Sequence, residues 1–351
     1  MRFVVAIDSF KGCLSSREAN QAAATGIRSV HPDAEIHEII VSDGGEGFLE
    51  AFHAAVGGEY IPVAVKDPLG RDIEAQYLLK GHTAILEMAR AGGLTLLTPE
   101  ERDPLSATSY GTGQLVADAV RRGATHIIVG LGGSATSDAG RGMLRALEDA
   151  FGRPAEDALP GVRFTLASDV DNPLFGENGA AQVYGPQKGA TEEMVAELDA
   201  RARRFAEESA RRLGYDRSGE KGAGAAGGLG YAFLQYLKAE CRPGIALLLE
   251  ALDFDAQVAG ADLVITGEGS ADRQTLMGKL PSGILAHAGG VPVWLVAGRV
   301  SDRAQLLAAG FARVECINPP RLPREEALKK DLAQRNLAAT VQGMCVRPSA
   351  G

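Results

Sequence analysis

The chain has 351 residues, 45% of them hydrophobic and 23% charged. A single hydrophobic core stops growing near ~250–300 residues, so two domains are expected, and this much apolar surface excludes a mainly disordered chain. A net charge of −9 argues against a nucleic-acid or anionic-membrane surface, which needs a basic patch.

Strands are expected over 3–7, 36–41, 60–65, 83–88, 126–129, 163–167, 262–266 and 291–296. Several are apolar at successive positions, the pattern of strands covered on both faces. Helical patterns lie between them. Ser15-Ser16-Arg17-Glu18 is a capping box opening a helix towards Val30. Residues 114–122 are amphipathic and are stopped by Gly123, and 191–213 form a long helix closed by Gly214. The tail begins Pro-rich and carries a helix over 325–342. This alternation predicts an α/β fold with mainly parallel sheets. Cys13, Cys241, Cys316 and Cys345 form no Cys-x-x-Cys pair, so they read as reduced thiols of a cytoplasmic protein. The apolar run at the N-terminus is too short for a signal peptide, and none reaches the ~20 residues that span a membrane. The six histidines are scattered, which makes a zinc site improbable.

The 44 glycines exceed the roughly 25 of an average composition; four clusters follow expected strands and a fifth, 222–230, precedes an apolar helix. The clusters are Asp43-Gly44-Gly45-Glu46-Gly47, 130–138, 222–230, Gly267-Glu268-Gly269 and Ala297-Gly298-Arg299. Gly-rich turns at the carboxyl ends of strands let backbone amides approach a ligand, and a following helix N-terminus favours an anion. One such loop could simply be a tight turn. Five of them, three carrying Asp or Glu, point to a phosphate or nucleotide site. Gly222-x-Gly224-x-x-Gly227 matches a dinucleotide pattern but follows a charged stretch instead of a strand. The P-loop pattern is absent, since Gly278-Lys279 is followed by Leu280.

Phosphoryl transfer needs a phosphate cradle, a divalent cation held by carboxylates, a cation on the transferring group and a base. Asp43, Glu46, Asp138, Asp169, Asp171, Glu268 and Asp272 supply carboxylates, and Lys11, Lys188 and Lys279 flank Gly or Pro turns. Hard carboxylate oxygens suit Mg²⁺. Asp43 and Asp138 have an alternative use as helix caps, and Lys188 reads equally as a solvated turn lysine.

Nine motifs then occur in order along almost the whole chain. They are Asp8-Ser9-Phe10-Lys11-Gly12, Asp43-Gly44-Gly45-Glu46-Gly47, Tyr110-Gly111-Thr112-Gly113, Gly132-Gly133-Ser134-Ala135-Thr136, Asp169-Val170-Asp171-Asn172-Pro173-Leu174, Gly185-Pro186-Gln187-Lys188-Gly189, 224–230, Thr266-Gly267-Glu268-Gly269 and Gln274-Thr275-Leu276-Met277-Gly278-Lys279. The ordered set resembles the type II glycerate kinases, the bacterial glycerate 2-kinase family. The resemblance implies ATP-dependent phosphorylation of D-glycerate at the 2-hydroxyl, giving 2-phosphoglycerate and ADP. It also implies a discontinuous Rossmann-like domain, 1–80 plus 285–351, and an inserted flavodoxin-like domain, 81–284, with the site in the cleft between them. The chain departs from the family at Ser137-Asp138-Ala139, where Asn-Asp-Gly is usual, at Ser270, where Arg is usual, and in a short 147–162 segment.

On that resemblance, glycerate is expected with its carboxylate near Lys11 and the amides of the first loops, and Asp8, Ser9, Gly44 and Gly45 are expected to bind substrate or nucleotide. Asp138 or Asp169 is the expected base. Asp43, Glu268 and Asp272 are expected to hold Mg²⁺. The 132–136 amides, with Gly132, Gly133, Ser134 and Thr136, are expected to cradle phosphate, and Asn172, Gly227, Gly228, Gly267 and Gly269 to bind substrate or nucleotide. Lys188 or Lys279 is expected to stabilise the transferring group. A dinucleotide-dependent oxidoreductase and a non-catalytic nucleotide-binding regulator are the alternatives. The expected partner is a small molecule, and the sequence leaves the oligomeric state open.

Overall fold

The computed structural model describes residues 1–45 and 47–346, so Glu46 lies outside the described residues. The strands, in chain order, are β1 (Arg2–Ile7), β2 (Glu35–Glu38), β3 (Glu59–Lys66), β4 (Asp72–Lys80), β5 (Thr83–Glu87), β6 (His126–Gly130), β7 (Arg163–Ala167), β8 (Glu240–Arg242), β9 (Leu263–Ala271), β10 (Val293–Val300) and β11 (Arg313–Cys316). They form two sheets in two compact units.

The first unit is discontinuous and comprises Met1–Ala55 with the chain from Ile245 onward. Its five strands are all parallel, in the order β11-β10-β9-β1-β2. Counted along the unit this is 2-1-3-4-5, the order of flavodoxin-like sheets, with a topological switch between β1 and β9. The flavodoxin-like order therefore lies in the discontinuous unit and not, as expected, in the inserted one. β1 is buried along Phe3–Ile7, as its unbroken apolar run requires of a strand covered on both faces. The first helix, Ser16–Arg28, has the expected capping box at Ser15 and Glu18. It packs with the C-terminal helix Lys330–Val346 through Ala19, Ala23, Ile27, Leu337 and Val341 over β1 and β9. The single helix expected over 325–342 is broken: Arg324–Ala327 ends before Lys330–Val346 begins.

The inserted unit is Val56–Gly244. Its six strands lie in chain order, β3-β4-β5-β6-β7-β8, with β3, β4 and β5 antiparallel and the remainder parallel. The β3–β4 hairpin extends the sheet, which moves the expected 80/81 boundary back to 55/56. The Asp67 carboxylate closes its turn by accepting from the N–H of Leu69 at 2.8 Å and Arg71 at 2.9 Å. The second boundary lies at 244/245 rather than 284/285, because β9 is the central strand of the first sheet. The long helix Glu192–Leu213 starts at a Thr191 cap and ends at Gly214, close to expectation. Among the described residues no helix is long and apolar enough to cross a membrane.

Candidate active site

In the first unit the switch point places the chain's acidic residues. Ile7 pairs with Gly267, so Asp8, just past the carboxyl end of β1, lies beside Glu268 within β9. Asp8 N–H donates to Gly267 O at 2.9 Å, and Ser9 N–H donates to the Asp8 carboxylate at 2.7 Å. The strand end is fixed from below. Asn20 accepts from Ile7 N–H at 3.0 Å and donates to Ile39 O at 2.8 Å, while Ser16 donates to Ile7 O at 2.6 Å. Asp8 is 6% exposed and Glu268 is 8% exposed. Burial, then the neighbouring Asp43 charge, holds Asp8 well above the usual carboxylate range, while Ser9 N–H and Lys11 pull it down. Glu268 is also raised, chiefly by burial, against the lowering influence of Thr275 and Lys279.

Gly267-Glu268-Gly269 is not the loop expected from the sequence. β9 runs through it to Ala271, and β10 likewise carries Ala297–Arg299 to Val300. The Thr275 hydroxyl donates to Glu268 Oε1 at 2.6 Å and accepts from Asp272 N–H at 3.0 Å. Sequence reasoning misses Thr275, although the Asp272-x-x-Thr275 capping pattern marks it. Asp272 itself caps the short helix Arg273–Leu276 by accepting from Gln274 N–H at 2.7 Å. Lys279 Nζ stands 3.7 Å from Glu268 Oε2, and Lys11 Nζ 3.9 Å from Asp43 Oδ2. Gly45 N–H donates to Asp43 Oδ1 at 3.2 Å, in the same turn as Gly44.

Among the described residues no three His, Cys, Asp or Glu groups gather as a metal cage. Asp43, Glu268 and Asp272 do not gather as such a cage, and Asp272 Oδ1 is engaged in its cap. Asp43 and Glu268 retain the hard oxygen chemistry that Mg²⁺ takes together with phosphate oxygens.

The second cluster belongs to the inserted unit. Lys188 is 2% exposed and donates to Ser134 Oγ at 2.8 Å and Thr136 O at 2.7 Å. Burial pushes its pKa down to about 7, although Asp138 opposes the shift. It is thus a buried amine and not a solvated turn lysine. Asp138 accepts four hydrogen bonds: from Ser109 N–H and Oγ–H, both at 2.8 Å, and from Gly140 and Gly142 N–H, both at 3.0 Å. A carboxylate so occupied ties the entry of helix Arg141–Phe151 to the entry of helix Tyr110–Arg121. Its contact with Gly142 N–H lies in the first turn of helix Arg141–Phe151, whose N-cap position is Gly140.

The 132–136 loop is also partly committed to structure. Ala135 N–H donates to Gly92 O at 2.9 Å, and Gly133 O accepts from Leu94 N–H at 2.8 Å. Gly227 and Gly228 have φ of +66° and +88°, and a Cβ on Gly227 would lie 1.9 Å from Thr136 O. These glycines let the 224–228 segment cross the 136–139 backbone, where Ala139 N–H donates to Gly227 O at 3.1 Å. Asn172 is spent on its own loop, accepting from Tyr184 OH at 2.7 Å and donating to Asn178 O at 2.8 Å. Asp169 is exposed just beyond β7.

The model of the glycerate kinase family matches residues 3–155 and 153–347. The chain belongs to the glycerate kinase family. It is 40% identical to the glycerate kinase of Bacillus subtilis (strain 168), over 97% of this chain and 98% of that one. It is 41% identical to the glycerate 2-kinase of Escherichia coli (strain K12), over 86% of each. A solved chain assigned as glycerate kinase 2 from Salmonella typhimurium LT2 matches with a TM-score of 0.79 and 38% identity, covering 99% of this chain and 97% of that one. Glycerate kinase relatives favour neither the oxidoreductase nor the regulator alternative.

Proposed function

We propose that the chain transfers the γ-phosphoryl group of ATP to the 2-hydroxyl of D-glycerate, giving 2-phosphoglycerate and ADP. The single observation that carries the site assignment is the buried Asp8–Glu268 pair at the switch point, in a chain of the glycerate kinase family. Ligands of doubly wound sheets bind outside the carboxyl ends of the strands at that point.

Asp8 is the proposed general base. Its carboxylate is raised by burial, which makes it a better proton acceptor, and it has few competing donors beside Ser9 N–H. It takes the proton of the acceptor hydroxyl as that oxygen bonds to phosphorus and the bond to the ADP oxygen breaks. Lys279 and Lys11 offer positive charge to the phosphoryl oxygens beside Glu268 and Asp43. Asp43 and Glu268 are the residues suited to hold Mg²⁺, which when bound offsets phosphate charge. Thr275 fixes the orientation of Glu268. Lys188 and Asp138 are assigned a positioning role, holding the 132–140 loop in shape. A cytoplasmic setting, with ATP at hand, fits this reading.

A ³¹P NMR time course with ATP, Mg²⁺ and D-glycerate tests it. A 2-phosphoglycerate resonance with matching ADP is expected. A 3-phosphoglycerate resonance contradicts the regiochemistry, and no transfer from folded protein contradicts the reading.

A further inference from the structure

We propose that Arg299 anchors the carboxylate of the phosphoryl acceptor and so sets the preference for an acidic substrate. This rests on the glycerate kinase reading above and adds a residue to its site. Arg299 pairs with Ser270 across the parallel β9–β10 ladder, and Ala297 pairs with Glu268. Alternation along a strand puts residues two apart on one face, so Glu268, Ser270 and Arg299 share a face. At ~3.3 Å per residue, Arg299 stands about 7 Å beyond the level of Glu268, within reach of an extended guanidinium.

The backbone beneath Arg299 is held on both sides. Gly298 O accepts from Asn318 Nδ2 at 2.8 Å, and Asn318 Oδ1 accepts from Asn336 Nδ2 at 3.1 Å. On the other side Ser301 N–H donates to Ala271 O at 2.8 Å, and a Cβ on Gly298 would lie 2.7 Å from Gly269 O. The side chain that this backbone presents is exposed. Lys11 and Lys279 are each paired with a carboxylate of the cluster. Arg299 makes no side-chain hydrogen bond or ion pair among the described residues.

The chemistry calls for such a group. The acceptor brings its own carboxylate to a face already carrying Asp8 and Glu268, and like charges there repel. A guanidinium two residues further along the strand receives that carboxylate bidentately while its hydroxyl points back towards Asp8.

The test compares wild type, Arg299→Ala and Ser270→Arg in the Arg299→Ala background. For Arg299→Ala, the KM for D-glycerate should rise about 10- to 100-fold, the loss of one charge-assisted contact. Its kcat, its KM for ATP and its thermal melt should stay near wild type. The second substitution should recover much of the loss, because paired strands lie ~4.8 Å apart. Calorimetric titration with D-glycerate alone should show the same weakening without turnover. Unchanged glycerate KM and affinity in Arg299→Ala would overturn the proposal. So would a rise confined to the KM for ATP, which would make the bound oxyanion a nucleotide phosphate. Absence of phosphoryl transfer by wild type would count against the kinase reading instead, and the titration would still decide the anchor.

Discussion

Lys188 Nζ and Ser134 Oγ are hydrogen-bonded at 2.8 Å inside the inserted unit, with Thr136 O as the second acceptor at 2.7 Å. A neutral amine has two N–H groups, and these two acceptors use both. That count agrees with the pKa pushed down to about 7 by burial. Between pH 7 and the ordinary lysine value the unfolded chain holds a proton that the folded chain has released. Stability must therefore rise with pH across that window, by up to ~1.4 kcal/mol per unit. Urea unfolding of wild type and Lys188→Met at several pH values isolates the contribution. The difference between them should shift in favour of wild type from pH 7 to pH 9, and a flat difference would count against a neutral Lys188.

Thr275 links two acidic residues through one hydroxyl, donating to Glu268 and accepting from Asp272 N–H. Thr275→Val keeps the buried shape and removes both bonds. A hydrogen bond to a charged group is worth about 1.5–3 kcal/mol, so kcat/KM should fall at least about tenfold. Steady-state kinetics beside a thermal melt checks this. An unchanged rate would show that Glu268 needs no such support.

Gly227 sits where the structural reading of a glycine loop and the ligand-binding reading part. Its φ is +66°, and a side chain there would bring its Cβ to 1.9 Å from Thr136 O, which leaves no room for one. Gly227→Ala should destabilise the protein by about 3 kcal/mol or more. The measurement is thermal unfolding. A stable variant that had lost only nucleotide affinity would restore the ligand-lining role.

Much of the architecture is legible in the sequence because buried parallel strands write themselves as apolar runs. β1, β5, β6 and β7 fall close to their expected ranges. The β3–β4 hairpin is only half visible, since 72–80 alternates polar and apolar residues and covers the sheet on one face. The glycines of 267–269 and 297–299 suggest loops, yet both stretches are strand. A missing Cβ allows tight strand contact as readily as a turn. Asp8 and Glu268 stand out in the sequence as candidates, but their adjacency depends on the pairing of Ile7 with Gly267 from the far end of the chain. No local pattern reveals that pairing. Asp138 is equally visible as a base or a cap, and its four donors come into view only in the fold.

The central claim, that chemistry lies with Asp8 while Asp138 holds structure, is tested most directly by comparing Asp8→Asn with Asp138→Asn. Turnover of ATP and D-glycerate and thermal unfolding are measured on both. Asp8→Asn should lose kcat by about 10²-fold or more, the scale of general-base catalysis, while its melting temperature stays near wild type. Asp138→Asn should lose stability by about 1–3 kcal/mol, as an amide N–H₂ meets backbone N–H groups that can only donate, and the folded fraction should keep most of its kcat. A stable Asp138→Asn with no turnover, or an Asp8→Asn with full turnover, would contradict the assignment.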